Sequence, residues 1–110
     1  MEFHGPFWAV FAVPHSKRRL VEAFGHVVRE ARIRAGMTQE KLSFRAAVHR
    51  TYVSDLERGL KSPTLDVIDA IAVALNTESY DLLELAVHLR DRPPREWTTH
   101  GSRQRVRRKR

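Results

Sequence analysis

Arg50, Thr51, Ser54 and Asp55 form a row of hydrogen-bonding side chains in the middle of this 110-residue chain. On a helix their spacing puts two of them in one turn and two in the next, along one side. Arginine offers a planar fork of donors, threonine and serine donate and accept, and aspartate only accepts. Such a row suits the reading of base edges in a DNA major groove. There Arg50 can give two parallel bonds to guanine O6 and N7, and Thr51 can bond a base or touch a thymine methyl. Asp55 has three candidate roles: accepting from cytosine N4, pairing with Arg58 at i+3, or orienting Thr51 at i−4. The competing interpretation is an ordinary solvated helix face.

Other chemistries lack their residues. The chain has no cysteine, which removes disulfides, thiolate nucleophiles and cysteine-bound zinc. Its six histidines, His4, His15, His26, His49, His88 and His100, never fall three or four apart on one helix. No HExxH pattern occurs, so no metal site is expected. Carboxylates stand singly on helix faces and no glycine-rich phosphate loop is present, so the expectation is a binding module without cofactor, not an enzyme. The longest apolar run, Phe7–Val13, falls far short of the ~20 residues that cross a membrane. It follows Glu2, with no lysine or arginine before it, so it lacks the basic start of a secretory signal. A cytoplasmic protein is the default expectation.

The elements that must position the row can be read from periodicity. The first helix is expected from about Lys17 to Ala35 with Ser16 as N-cap. Its stripe is Leu20, Phe24, Val27, Val28 and Ala31, and Gly36 is suited to close it. Thr38 caps a second helix, with Glu40 near its positive end. That helix turns Leu42 and Ala46 inward, and Val48 follows in the turn. The third helix spans roughly Arg50–Arg58, buries Val53 and Leu56, and stops at Gly59. Thr64 caps a fourth with the stripe Leu65, Ile68, Ile71, Ala72 and Leu75, and Asn76 is a left-handed terminator. Ser79 is expected to cap a fifth, with Tyr80, Leu82, Leu83, Ala86, Val87 and Leu89 apolar, ending before Pro93–Pro94. The expected organisation is an apolar arm over 1–15, a five-helix all-α domain over 16–92, and a basic tail over 93–110 that is disordered when free.

At this point the residues resemble a known family. REARIRAGMTQEKL (29–42), AAVHRTYVSDLERG (46–59), Ser62-Pro63-Thr64-Leu65 and AIAVALN (70–76) are similar to the lambda-repressor-like, XRE/Cro-type helix-turn-helix domains. The resemblance covers residues 24–86. It implies a compact five-helix bundle whose third helix lies in the major groove, with base contacts from Arg50, Thr51, Ser54 and Asp55. It also implies phosphate contacts from Gln39 and Thr38 at the start of the second helix, flanked by Tyr52, Lys61 and Ser62. Arg32 and Glu57 are implied to form a partly buried ion pair that fixes the third helix's angle. Three positions depart from the family pattern. Ala47 stands where glycine is usual, Ser43 where alanine is, and His49 where a serine cap is. The connection Thr77–Asp81 is also about one residue longer than usual.

The net charge of +7 does not come from this domain. Residues 1–89 carry eleven Lys/Arg and eleven Asp/Glu, whereas residues 90–110 carry nine against two, which gives +7. The run RQRVRRKR (103–110) either adds sequence-independent phosphate binding or only solubilises the chain. Family relatives act as two-fold dimers on inverted repeats. Leu82, Leu85 and Leu89 either supply an exposed stripe for a homodimer or complete the core. The arm Phe7–Val13 is a short strand, a packed arm or a disordered start; if packed, it lies on the fifth helix or on a second subunit. The expected function is a DNA-binding transcriptional regulator, a repressor or autoregulator, on double-stranded DNA. A second reading is an antitoxin-like module whose main partner is a protein, a toxin or co-regulator. A third, RNA binding, has little aromatic surface to stand on, since Trp97 is the only tail aromatic.

Overall fold

The computed structural model describes residues 14–97, with side chains from Arg19 onward, so the expectations for Phe7–Val13 and for 103–110 lie outside it. Five helices follow in order: α1 Pro14–Arg34, α2 Gln39–Ala46, α3 Arg50–Glu57, α4 Leu65–Ala74 and α5 Ser79–Arg90. No strand occurs among the described residues. The all-α five-helix bundle is therefore as expected. α1 packs against α3 and α5, α2 against α3 and α4, and α4 against α5. The core draws its fully buried large side chains from four helices: Val28, Leu42, Val53, Leu56 and Ile71. Each such burial contributes about 1.5–3 kcal/mol.

The first four helices end in the same way. Gly36, Ala47, Gly59 and Asn76 all take positive φ, at 73°, 58°, 77° and 59°. In each case the next residue's N–H reaches back to the carbonyl five residues earlier: Met37 to Arg32, Val48 to Ser43, Leu60 to Asp55 and Thr77 to Ala72. The left-handed residue's own N–H bonds three back, to Ile33, Phe44, Leu56 and Val73 respectively. This pair of bonds satisfies carbonyls that the helix end would otherwise leave bare. At their starts, Thr38 Oγ1 accepts from Lys41 N–H and Thr64 Oγ1 from Val67 N–H, at 3.0 and 3.2 Å.

Several boundaries differ from expectation. α1 begins at Pro14, so Ser16 lies inside its first turn and is not a cap. Proline's fixed φ and missing donor are tolerated there. Glu78, not Ser79, holds the cap position of α5, with extended backbone and no side-chain cap bond. The α4 stripe loses Leu65, which sits ~60° off Ile68 on the helical wheel and is left in solvent. Tyr80 and Val87 of α5 are likewise exposed.

The largest correction concerns Trp97, expected in a disordered tail. Residues 94–97 form a further helical turn, and Trp97 is only 6% exposed. Its indole Nε1 donates to the carbonyls of Leu89 and Arg92, at 2.8 and 3.0 Å. It thereby satisfies orphan acceptors at the end of α5, and its ring lies 5.8 Å from that of His26. Arg19 Nη1 donates to the Arg90 carbonyl at 3.2 Å, which ties the end of α5 to the early turns of α1.

Candidate functional site

α2 and α3 meet at a tight turn made possible by Ala47. Its φ of 58° and ψ of 43° are left-handed, a conformation that costs a residue with a Cβ roughly 1–2 kcal/mol. The turn brings Leu42, Ala46, Val53 and Leu56 into one buried seam, with Val48 packed at its edge. Ser43 is buried and its hydroxyl donates to the Glu40 carbonyl at 2.7 Å, which keeps the crowded inner face of α2 satisfied. His49 holds extended backbone at the N-cap of α3 but makes no side-chain cap bond.

This seam turns the four candidate reading residues outward to different degrees. Arg50 and Thr51, in the first turn of α3, are exposed. Ser54 and Asp55, a turn later, are half-buried. Asp55 Oδ1 already accepts from Arg58 Nη2 at 2.8 Å. Of the roles considered for Asp55, the Arg58 pair is the one present in the free domain. Tyr52 is half-buried, and burial pushes its phenol above the ordinary value. Lys61 and Ser62 stand exposed in the loop between α3 and α4.

Beneath the row lies a network that holds α3 in place. Glu57, whose side chain is 2% exposed, accepts from Arg32 Nε at 2.6 Å and from Arg32 Nη2 at 3.0 Å. Arg32 Nη1 also donates to the Met37 carbonyl in the α1–α2 loop, at 2.8 Å. Gln39 completes the set, its Nε2 donating to Glu57 Oε1 at 3.0 Å. Glu57 and Arg32 together thus tie α1, the loop, the first residue of α2 and the last residue of α3. The Gln39–Glu57 bond is absent from a reading of the sequence, because a separation of 18 residues follows no helical period. It also commits one of Gln39's two amide hydrogens inside the fold. The Thr38 hydroxyl, accepting from Lys41, remains exposed.

α1 reaches α3 closely because of Gly25. A Cβ built there would lie 2.1 Å from the Leu56 carbonyl oxygen, so no other residue fits without moving α3. The three leucines considered for a dimer do not share one surface. Leu82 is buried, Leu89 half-buried and Leu85 exposed. Among the described residues, no group of three or more His, Asp or Glu side chains gathers to hold a metal. No helix there is long and apolar enough to cross a membrane.

Residues 28–83 match the family model described as Helix-turn-helix. Over 62 residues the chain is 47% identical to control protein C.BamHI of Bacillus amyloliquefaciens, covering 56% of this chain and 76% of that protein. The crystal structure of the clp gene regulator ClgR from C. glutamicum is similar, with a TM-score of 0.61 and 32% identity over 63% of this chain and 88% of that one. The restriction-modification controller protein C.Esp1396I, in a tyrosine-substituted form, gives a TM-score of 0.58 at 26% identity, over 63% of this chain and 87% of that one. That protein has been solved with single substitutions of an arginine, of the threonine that follows it and of the tyrosine after that. Arg50-Thr51-Tyr52 is the one Arg-Thr-Tyr run in the present chain.

Proposed function

The chain belongs to the helix-turn-helix family of lambda-repressor-like, XRE/Cro type, and from that premise we propose that it is a DNA-binding transcriptional regulator. The observation that carries this reading is the exposed pair Arg50 and Thr51, at the leading turn of a helix whose rear is braced by Glu57. α3 enters the major groove with that turn foremost, and Arg50 takes guanine O6 and N7. Thr51 reads the neighbouring position, and Ser54 lies within reach of a third. Asp55 acts by holding Arg58, and reads cytosine only if that pair opens.

Phosphates are held around this face without reading sequence. The first turn of α2 presents its free backbone N–H groups at a positive helix end. Gln39 keeps its second amide hydrogen for the same phosphate, and the Thr38 hydroxyl stands beside it. Lys61 and Ser62 hold the backbone on the other side, with Tyr52 between. The protein is a binding module on this reading, with no reaction of its own. It acts as a homodimer on an inverted repeat, as a repressor or autoregulator. With Leu82 in the core, the dimer contact moves to the exposed apolar pair Val73 and Tyr80, 71% and 67% exposed on either side of the α4–α5 connection.

Selection of bound sequences from a random DNA pool tests the proposal and yields the operator. On that operator, Arg50→Ala is expected to lose about 1–3 kcal/mol and to relax preference at one base pair in each half-site. Lys61→Ala is expected to weaken all sequences alike. A pool without enrichment, or an Arg50→Ala protein of unchanged affinity and preference at fixed salt, overturns the assignment.

A further inference from the structure

Besides Arg50, α3 and its cap carry one more arginine, Arg58. Its N–H bonds the Ser54 carbonyl four residues back, at 3.1 Å, so it keeps the helical register of α3. At about 100° per residue it falls within roughly 10° of the centre line of the row Arg50, Thr51, Ser54 and Asp55. The buried residues Val53, Leu56 and Glu57 lie on the other side of the helix. Arg58 therefore shares the face assigned to base reading, about two turns beyond Thr51, and its side chain is 64% exposed.

We propose that Arg58 reads a second guanine and that Asp55 is the positioning residue that aims it. The inference rests on the reading of α3 as the helix that enters the major groove. Asp55 Oδ1 accepts from Arg58 Nη2 at 2.8 Å, and the Asp55 side chain is only 21% exposed. The tip of a long side chain is thus fastened to a shorter one that sits closer to the fold. A guanidinium has five N–H donors. The bond to Asp55 uses one, and the others suffice for the parallel pair that guanine O6 and N7 accept. The seven steps from Thr51 to Arg58 are a rise of ~10.5 Å. Along the groove that matches roughly three base pairs at about 3.4 Å each, so this guanine is not the one taken by Arg50. The leading turn lies deepest, and arginine's long stem covers the retreat of the trailing end.

Charge decides between a base and a phosphate. A phosphate contact draws its strength from positive charge that displaces counterions. Asp55 cancels the charge of Arg58, and its carboxylate is repelled by a phosphate. The edge of guanine carries no net charge, so the pair approaches it without that penalty, and the fixed direction of the donors selects the base. Folding gains little from the pair, since it is exposed and only three residues apart.

The test uses the full chain and the operator recovered by selection, with each base pair of one half-site replaced in turn. Affinity is read by fluorescence anisotropy at fixed salt and then across a salt series. Arg58→Ala is expected to lose about fivefold or more of the discrimination at one G·C pair. That pair is one that Arg50→Ala leaves alone, and the salt slope stays unchanged. Asp55→Ala should lose discrimination at the same pair, and the double variant should lose no more than either alone. With Asp55 removed, the released guanidinium should steepen log K against log salt by up to ~0.9. The proposal fails if Arg58→Ala weakens all sequences alike and flattens the slope by about one, the mark of a phosphate contact. It also fails if every base preference survives in Arg58→Ala, or if Asp55→Ala keeps the preference. In each of these cases an Arg50→Ala protein that still relaxes its own base pair leaves the regulator reading standing. A pool without enrichment overturns both.

Discussion

Ala47 is the residue at which local preference and tertiary demand conflict most plainly. The α2–α3 turn requires a left-handed residue there, and alanine takes it at φ 58°. Ala47 is exposed, so nothing packed on its methyl is lost on substitution. Ala47→Gly is therefore expected to stabilise the domain by about 0.5–1 kcal/mol, after allowing for glycine's freer unfolded chain. That corresponds to a rise of roughly 2–8 °C in Tm, measurable by circular dichroism. The opposite case is Glu57, whose buried carboxylate has three donors from two residues. The Arg32–Glu57 pair is implied by the family resemblance and depends on two charged residues of opposite sign. The third donor, from Gln39, follows from no pattern in the sequence, because it exists only once α2 and α3 have been folded against each other.

Among the helices, the ends were easier to read than the faces. Gly36, Gly59 and Asn76 announce left-handed closures by their types, and all three occur. Thr38 and Thr64 announce caps and form them. Ser16 and Ser79 carry the same signal without the role, because α1 already starts at Pro14 and Glu78 takes the cap position of α5. Trp97 was illegible for a different reason. A lone aromatic after Pro93–Pro94 shows no period, and its partners are backbone carbonyls that every residue possesses. At the candidate site, Arg50 and Thr51 stand outward as the helical spacing suggests, while the Arg58 partner of Asp55 was one of three alternatives. The crossing of α1 over α3 offers a direct test of the frame. Gly25→Ala puts a methyl where only 2.1 Å separates it from the Leu56 carbonyl. It should cost about 1–3 kcal/mol or more in urea unfolding, since backbone must move to admit it.

At the scale of the whole molecule, the division of charge decides how binding should respond to salt. Residues 1–89 are neutral, and residues 90–97 add three arginines against Asp91 and Glu96, for +1. The remaining +6 lies in 98–110. Truncation after Trp97 keeps the described fold and removes those six charges. If they engage phosphate, the slope of log K against log salt should flatten by up to ~5, at ~0.9 per contact, with base preference unchanged. An unchanged slope would assign the tail to solubility alone. The proposed two-fold assembly has its own measurement. Val73→Glu at the exposed end of α4 should shift sedimentation from dimer to monomer while the monomer's helical content stays the same. A dimer unaffected by that charge would place the contact elsewhere.

The Glu57 brace also bears on how such a chain can change over generations. Since α3 is held from behind by side chains of α1 and α2, its outward residues carry little of the burden of keeping it in place. Arg50, Thr51 and Ser54 can be exchanged one at a time without re-aiming the helix. A drift in operator preference is then open to single substitutions on the outer face, while a substitution at Arg32, Gln39 or Glu57 alters every contact at once. Descendants of this chain should therefore differ at the first set of positions long before they differ at the second.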